Sequence, residues 1–336
     1  MGLVRYVLRR LLSLIPVVLG VTFITFFLSR VLVANPARAW AGPKAPESVV
    51  AQIAASYHLD EPIPVQYFYY MHDILLGNWG HNPITGRAVI SEIGGYFPAT
   101  LELALAAFIL TILLGIPLGV VAALRQDKKL DHGIRFFYLA GVSSPPFFVA
   151  LGLLIIFGYY SGLLPTQGEL SPFLNPPTHI TGLYVVDSLI TRNWVDLQDS
   201  ILHLILPAAA LALTYFGLVV RVTRASMLEV SQKEFVKVSF AKGLTKRNVV
   251  TRHILRNALI STTTILGLIL GAMLGGTVVI ETIFAWPGIG FYAVQAIESF
   301  DYPAVMGVTF VFTLSVVFAN LLADIIYAYL NPKISL

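Results

Sequence analysis

Six long apolar stretches dominate the sequence and restrict the folds open to it. A helix needs about 20 mostly apolar residues to cross the hydrocarbon core of a membrane. Six stretches meet this requirement: residues 11–33, 99–124, 136–160, 201–220, 258–280 and 304–330. Only 12% of the 336 residues are charged, whereas a soluble domain carries about 25%. We therefore expect an all-α protein with six transmembrane helices, a multi-pass protein of the cell membrane.

The first apolar stretch resembles a secretory signal, because Arg5, Arg9 and Arg10 precede it. It is longer than the apolar region of a signal, and no convincing cleavage site of small residues follows it. We expect residues 1–33 to be retained as the first transmembrane helix.

Lysine and arginine are distributed unevenly among the segments between these stretches. With a cytoplasmic N-terminus, 17 of the 22 basic residues lie in cytoplasmic segments and 5 in external ones. Cytoplasmic loops of membrane proteins carry an excess of these residues. The charges predict that both termini are cytoplasmic and that the long loops 34–98 and 161–200 face outward.

The loop of residues 34–98 is rich in aromatic residues and contains helix-like periodicity, as in "YHLDEPIPVQYFYYMHDILLGNWGHNPITG". We expect a small folded cap outside the membrane, either a structural lid or a docking surface. The aromatic side chains suit sugar binding as well as packing, and packing is favoured. They are Tyr67, Phe68, Tyr69, Tyr70 and Trp79.

Glycines repeat every four residues in two of the apolar stretches. Gly267, Gly271 and Gly275 share one face of the fifth stretch, and Gly115 and Gly119 share one face of the second. Small residues at this spacing allow two helices to approach closely. We predict a helix-packing face, within the chain or at a subunit interface.

Ionisable residues are absent from the centres of the apolar stretches. Glu102 lies near the external end of the second stretch and Asp324 near the cytoplasmic end of the sixth. Charged groups that relay protons or bind ions usually lie deeper in the membrane. We interpret both residues as locally hydrogen-bonded, which argues against a proton-coupled transporter.

Motifs of catalysis and metal binding are also missing from the sequence. It contains no Walker A, HExxH or Gly-x-Ser-x-Gly pattern and no cysteine. His58, His72 and His81 share the first loop, but their spacing fits no standard metal site. We predict that the chain is not an enzyme and that it binds no metal or cofactor itself.

Residues 221–257 form a basic segment between the fourth and fifth apolar stretches. Its pattern predicts a helix, a bend at Gly243, and a second helix with Thr245 as its N-cap. Topology and anionic lipid explain some of the charge. They do not explain the mixed apolar face of the first helix, which needs a second surface. We favour docking of a cytoplasmic partner.

The segment "EFVKVSFAKGLTKRNVVTRHILRNAL" resembles the cytoplasmic loop of ABC-importer permeases. Further motifs resemble the oligopeptide/dipeptide/nickel branch of that family, first-permease type, and extend over nearly the whole chain. They are "YHLDEPIPVQYFYY", "TGRAV", "FPATLELALAA", "LLGIPLGVVAAL", "HLILPAAALAL", "RASMLEV", "ETIFAWPGIG" and "DYPAVMGV".

Three positions depart from the pattern of the branch. The Glu-Ala-Ala triplet of the family corresponds to Lys237, Val238 and Ser239. Ser261 stands where proline is usual after "RNAL" and one further residue, and "VANPARA" keeps only Pro36 of a Pro-Gly-Asp-Pro motif. The last departure affects the start of the external loop.

The resemblance implies a division of the chain and a mechanism. Residues 1–33 are an N-terminal helix, 34–98 an external cap, and 99–336 the permease core with its coupling loop at 221–257. Two permeases, usually different chains, form the pore, two ATPases carry ATP and magnesium, and an external binding protein delivers the solute. The residues expected to contact an ATPase are Lys237, Val238, Ser239, Ala241, Lys242, Gly243, Leu244 and Thr245.

The implied function is import of dipeptides and oligopeptides through a pore subunit driven by separate ATPases. Members of the same branch import nickel or oligosaccharides, so the solute stays open. An autonomous channel or secondary transporter is the alternative from another class. The basic loop and the lack of charge in the middle of the membrane disfavour it.

Overall fold

The computed structural model describes residues 3–31, 35–42, 44–82 and 85–330, and helices dominate these ranges, which hold no strand beyond an isolated bridge between His81 and Ala88. The helices in order are α1 (Leu3–Arg30), α2 (Pro36–Ala41), α3 (Glu47–Ser56), α4 (Ile63–Leu75), α5 (Val89–Leu124), α6 (Lys129–Ser143), α7 (Pro146–Leu153), α8 (Tyr184–Thr191), α9 (Trp194–Ser231), α10 (Glu234–Ala241), α11 (Lys246–Asn248), α12 (Arg256–Gly275), α13 (Val278–Ile283), α14 (Ile289–Glu298) and α15 (Tyr302–Leu330). π-Helical turns extend α7 (Leu154–Tyr160) and precede α12 (Val249–Leu255).

Five helical segments of the described chain are long and apolar enough to cross a membrane. They lie in α1, α5, α9, α15 and the run Lys246–Gly275 that ends with α12. A sixth crossing is formed if α6 and α7 with its π-helical turn count as one bent span. The all-α multi-pass fold expected from the apolar stretches is confirmed.

The third predicted span, residues 136–160, is not one straight helix. The chain bends by 108° between α6, which already begins at Lys129, and α7. Ser144 is extended, with φ −86° and ψ 135°, and Pro145 and Pro146 follow it. A proline disfavours helical geometry at the preceding residue and lacks the N–H that would continue the helix. The two prolines therefore separate α6 from α7.

Other boundaries also differ from those of the apolar stretches. α5 begins at Val89 rather than near residue 99, and α9 extends from Trp194 to Ser231 around the stretch 201–220. α12 ends at Gly275, and α13 and α14 occupy most of the predicted loop 281–303. Apolar length detects the part of a helix that lies in lipid, whereas the backbone hydrogen bonds continue into polar sequence.

α5 and α9 run in the same direction along the centre of the bundle. Gly115 of α5 lies against Val219 of α9, and Gly119 lies against Thr223, so both sequences advance together. Buried residues of α5, α9 and α12, among them Leu103, Leu211 and Met273, form the main apolar core. α1 packs against α15, where Ser29 Oγ donates a hydrogen bond to Met306 Sδ at 3.1 Å.

The connecting segments gather at two opposite ends of the bundle. At the end that we name the loop end, Asp131 of α6 pairs with Arg224 of α9, and Ala123 packs with residues of the segment 221–257. At the other, the cap end, α2–α4 pack on α1 and α15 through Phe26, Trp40, Tyr70, Ile74 and Met306. Gly182 of the loop 161–200 lies against Pro98 near the start of α5, so this loop shares the cap end with the loop 34–98, as the alternation of the spans predicts.

Candidate coupling site

α10 is held to the loop end of the bundle by one apolar face. Val236 is 2% exposed and packs in a cluster with Met227 and Val230 of α9, Val249 and Ile254 of the π-helical turn, and Ala123 and Ala258 of α5 and α12. The coupling loop therefore contacts three long helices of the bundle at once.

Gly243 forms the bend that follows α10. Its φ is +78°, in the left-handed region that favours glycine. Its N–H donates to the carbonyl of Phe240 at 2.9 Å, and the N–H of Leu244 donates to the carbonyl of Ser239 at 3.3 Å. These two bonds form a Schellman motif, which ends a helix by satisfying its last carbonyls. The predicted glycine bend is present.

The outward side of α10 and of the bend is apolar and exposed. Phe235, Val238, Phe240 and Leu244 are 40%, 50%, 47% and 38% exposed, respectively. Lys237, Lys242 and Lys246 are exposed beside them. We name these seven residues the coupling patch. Four large apolar side chains in one short element, rimmed by cations, are typical of a surface that docks a partner.

Seven of the eight residues predicted to contact an ATPase are exposed. They are Lys237, Val238, Ala241, Lys242, Gly243, Leu244 and Thr245. Ser239 is buried, and its Oγ donates to the carbonyl of Phe235 at 2.7 Å, so it stabilises α10 from inside. The contact of the seven with a partner stays a prediction.

Thr245 occupies the N-cap position of α11, with φ −64° and ψ 147°. Its side chain makes no capping hydrogen bond, although its carbonyl accepts from the N–H of Val249 at 3.0 Å. The boundary of the second helix is therefore where the sequence predicts it, without the side-chain cap.

An ion pair that the sequence analysis missed joins α6 to α9 at the loop end. Arg224 Nε donates to Asp131 Oδ1 at 2.8 Å, and a terminal nitrogen donates to Asp131 Oδ2 at 2.6 Å. The Asp131 side chain is fully buried and also accepts from the backbone of Asp127 at 3.0 Å. A bidentate pair of this kind fixes orientation as well as distance. Movement of the end of α9 is thereby linked to α6.

The glycine face of α12 contacts α15. A Cβ on Gly267 would overlap the side chain of Ala323, one on Gly271 would lie 3.0 Å from Asn320 Oδ1, and one on Gly275 would lie 3.1 Å from Val316 Cγ2. The three glycines therefore serve close packing within the chain.

A network of buried acids lies at the cap end. The carboxylate of Glu102 accepts from the backbone N–H groups of Tyr184 and Val185 at 3.0 and 2.8 Å, at the start of α8. Glu169 hydrogen-bonds to Glu102, and burial, together with that carboxylate, raises the pKa of Glu169 to about 9. Protonated Glu169 therefore donates to Glu102 at neutral pH, which ties the segment after α7 to α5. Local hydrogen bonding was predicted for Glu102, but its partners were not.

Asp187 of α8 organises the same segment. It accepts from the backbone N–H groups of Ile180, Thr181 and Gly182 at 3.1, 2.8 and 2.9 Å. Burial alone would raise the pKa of Asp187, but the hydrogen bonds to its charged form lower it overall. Asp187 therefore stays ionised and holds the loop before α8 in one shape.

Glu281 connects α13, α14 and α5. It is fully buried, its Oε1 accepts from Thr100 Oγ1 at 2.8 Å, and its Oε2 accepts from the N–H of Phe291 at 2.9 Å. Trp286 Nε1 donates to the carbonyl of Ala99 at 2.8 Å beside it. The motif "ETIFAWPGIG" thus fastens the cap end to the bundle core.

The described residues hold no group of three or more His, Asp or Glu placed to bind a metal. His58 stacks on Tyr69 with ring centroids 4.0 Å apart, and His72 stacks on Phe68 at 6.4 Å. These two histidines take part in aromatic contacts of the cap.

Comparison with known proteins agrees with a membrane protein that docks a partner. The family described as "Binding-protein-dependent transport system inner membrane component" matches residues 115–336. The chain belongs to this family. The N-terminal part of such membrane components matches residues 3–104 as well, so this match ends and the other begins within α5.

Relatives of the chain include permease proteins of several transport systems. The probable D,D-dipeptide transport system permease protein of Escherichia coli (strain K12) is 40% identical over 97% of this chain and 96% of that protein. The dipeptide transport system permease protein of Alkalihalophilus pseudofirmus is 39% identical over 99% of each chain. The glutathione transport system permease protein of Salmonella choleraesuis is 33% identical over 99% of each.

Membership of the family confirms the resemblance found in the motifs. The chain is the membrane permease subunit of an ABC importer, and ATP hydrolysis belongs to a separate subunit. A permease of this kind works in general with a partner permease, an ATPase and a binding protein.

Proposed function

We propose that this chain forms one half of the pore of an importer for dipeptides and short oligopeptides. The observation that carries the substrate class is the full-length similarity to dipeptide and glutathione permeases. The solutes after which those permeases are named are all small peptides. The selection among peptides belongs to the external binding protein.

The coupling patch docks in a groove of one of two cytoplasmic ATPase subunits. Its apolar residues, such as Val238 and Phe240, supply the buried contact, and Lys237 and Lys242 supply charges at the rim. ATP and magnesium bind to the ATPases and not to this chain. A second, different permease completes the pore.

ATP-driven closure of the ATPases pushes α10 toward the bundle. Val236 transmits the push to α5, α9 and α12 through the cluster at the loop end. The bidentate pair between Asp131 and Arg224 carries the displacement on to α6. A packed contact of this kind moves as a unit rather than deforming continuously.

A mild-detergent purification of the chain from its native membrane tests the assembly. We expect a second permease, two ATPases and a binding protein to copurify, identified by mass spectrometry. Reconstituted in liposomes, the complex should take up labelled L-alanyl-L-alanine only when ATP is present on the side of the membrane where the ATPases lie.

Two results would contradict the proposal. Recovery of the chain alone, with solute flux in liposomes without ATP, would favour a channel or carrier. Uptake of nickel or an oligosaccharide in place of dipeptides would agree with the proposed assembly but contradict the proposed substrate class.

A further inference from the structure

A cavity of about 420 Å³ lies in the cap, and nothing in the proposed transport cycle uses it. It is bounded by α1–α4 and the start of α15. The residues that carry the argument are Arg30, Trp40, Tyr57, Tyr70 and Asp73, all of which line it. Its volume falls within the range of about 300–1,000 Å³ that is typical of small-molecule sites.

The cation of this cavity is Arg30, in the last turn of α1. The residue is only 7% exposed, and one terminal nitrogen donates to the carbonyl of Tyr57 at 2.9 Å. Its guanidinium carbon lies 5.2 Å from the ring centre of Phe26 and 5.3 Å from that of Trp40. Among the described residues, no carboxylate approaches the guanidinium within 4 Å.

A buried arginine of this kind is unusual. Buried charges in proteins are normally paired, because their desolvation costs several kcal/mol. Aromatic faces compensate part of that cost. Guanidinium groups bind carboxylate and phosphate oxygens in preference to other partners, so the cavity wall at Arg30 favours an anionic group.

The carboxylate of the cavity is Asp73 on α4. Its side chain is 38% exposed and lies 3.7 Å from His72 Nδ1. Both Asp73 and Arg30 line the cavity, yet they do not pair with each other within 4 Å. Tyr57 and Trp40, whose rings meet edge to face at 4.9 Å, also line this space. The cavity thus presents opposite charges on its wall with aromatic surface beside them.

We propose that this cavity binds a small zwitterion, with its anionic oxygens on Arg30 and its ammonium group on Asp73. The required chemistry occurs in a free dipeptide and in the headgroup of an ethanolamine phospholipid. The site lies at the cap end, opposite the coupling patch, and the inference does not depend on what the pore transports.

Binding to the purified full chain in nanodiscs of phosphatidylglycerol, a lipid without an ammonium group, tests the free-solute source. The probes are L-alanyl-L-alanine, its N-acetyl form and its C-terminal amide, and the Kd is measured by calorimetry. We expect the unblocked dipeptide to bind roughly 10-fold more tightly than either blocked form, since each charge-assisted contact contributes about 1.5 kcal/mol.

Variants assign each end of the ligand to one side chain. In Asp73→Asn, the preference over the N-acetyl form should disappear while the preference over the amide remains. In Arg30→Gln, the pattern should be reversed. Arg87→Gln and Asp60→Asn are matched controls at exposed positions and should behave as the wild type. Should Arg30→Gln fail to fold, Asp73→Asn alone still decides, because its side chain is partly exposed.

Mass spectrometry of the chain released from nanodiscs of mixed phosphatidylethanolamine and phosphatidylglycerol tests the lipid source. Retention of the ethanolamine lipid by the wild type, and its loss in Asp73→Asn, would assign the site to the headgroup. A response to the dipeptides alone would assign it to a free zwitterion. Equal behaviour of the wild type and both variants in both experiments overturns the proposal. Neither experiment requires an ATPase or ATP, so loss of peptide uptake in the transport assay is a separate result.

Discussion

Gly243 is the residue on which the geometry of the coupling loop depends most directly. At its φ of +78°, proline is excluded because its ring holds φ near −65°, and the N–H that bonds to Phe240 would be lost. We expect Gly243→Pro to insert normally in the membrane. The rate of solute-stimulated ATP hydrolysis by the complex should fall by at least about 10-fold. Membrane content by immunoblot and phosphate release measure the two effects.

Gly42→Pro is the matched control for this prediction. Gly42 also has a positive φ, +89°, and its N–H also donates a backbone bond, to Arg38 in the cap. It lies at the opposite end of the bundle and should leave coupling intact. Normal stimulated hydrolysis in Gly243→Pro would reject the coupling role of the bend.

Glu169 gives the stability of the chain a dependence on pH. Its pKa is raised to about 9 in the folded protein, so the folded state holds a proton that the unfolded state releases near pH 4.5. Its contribution to stability is therefore complete below about pH 4.5 and is lost as the pH rises toward 9. We expect Glu169→Gln to stabilise the chain at pH 8 by about 1–3 kcal/mol, with little effect at pH 5.

Thermal unfolding followed by tryptophan fluorescence at both pH values measures this effect. Glu298→Gln is the control, because Glu298 is an exposed carboxylate and its replacement should not change the pH dependence. A melting temperature of Glu169→Gln that falls with pH as steeply as that of the wild type would contradict the assignment.

Asp187 and Glu169 show what residue types alone do not reveal. In the sequence, both are acids in a loop rich in proline and glycine, where solvent exposure is the ordinary expectation. In the structure, one accepts three backbone hydrogen bonds and the other hydrogen-bonds to Glu102, far away in the sequence. The approach of α5 creates the environment of Glu169, whereas that of Asp187 depends on residues 180–182 folding back onto the start of α8.

At the scale of the element, α10 has one buried face and one exposed face, and we propose a different role for each. Val236 is buried in the cluster of the loop end, whereas Val238 is 50% exposed in the coupling patch. We expect Val236→Ala to lower the free energy of unfolding by about 1–2 kcal/mol through lost packing. We expect Val238→Ala to change it by less than about 0.5 kcal/mol.

For binding of the ATPase, we expect the larger effect from Val238→Ala rather than from Val236→Ala. Val238→Ala should weaken the copurification of the ATPase several-fold, because it removes contact area from the docking surface. Denaturation of the purified chain and quantitative pull-down provide the two measurements. Equal ATPase recovery with Val238→Ala and the wild type would exclude this residue from the interface.

The third span illustrates how local sequence and element length can disagree. Residues 136–160 satisfy the apolar criterion for a single helix, yet Pro145 and Pro146 divide them. Prolines are common in membrane helices, and α9 continues through Pro207 without a break. Two adjacent prolines remove successive N–H donors and force Ser144 to be extended, which explains the bend here.

At the scale of the whole molecule, the orientation in the membrane remains a prediction from the distribution of basic residues. The chain contains no cysteine, so single introduced cysteines report their side of the membrane. We expect Phe68→Cys, at a position 67% exposed in the cap, to react with an impermeant maleimide in intact cells. Lys242→Cys, in the coupling patch, should react only after the membrane is permeabilised.

Labelling of Lys242→Cys in intact cells, with Phe68→Cys unreactive, would show that the orientation is the reverse of the predicted one. Since both residues are exposed in the structure, a difference in their labelling reports the membrane rather than burial. The variants also serve as each other's control for expression.

The sequence by itself determined the class of fold, the glycine bend and the segment in which basic residues accumulate. These depend on apolar length, on the conformational freedom of one residue and on local composition, all of which are properties of short segments. The tertiary structure alone decided which face of α10 is free, where Glu169 finds its partner, and that Arg30 and Asp73 line one cavity. Each of these depends on helices distant in sequence coming together, because burial and pairing are set by neighbours in space rather than by neighbours along the chain.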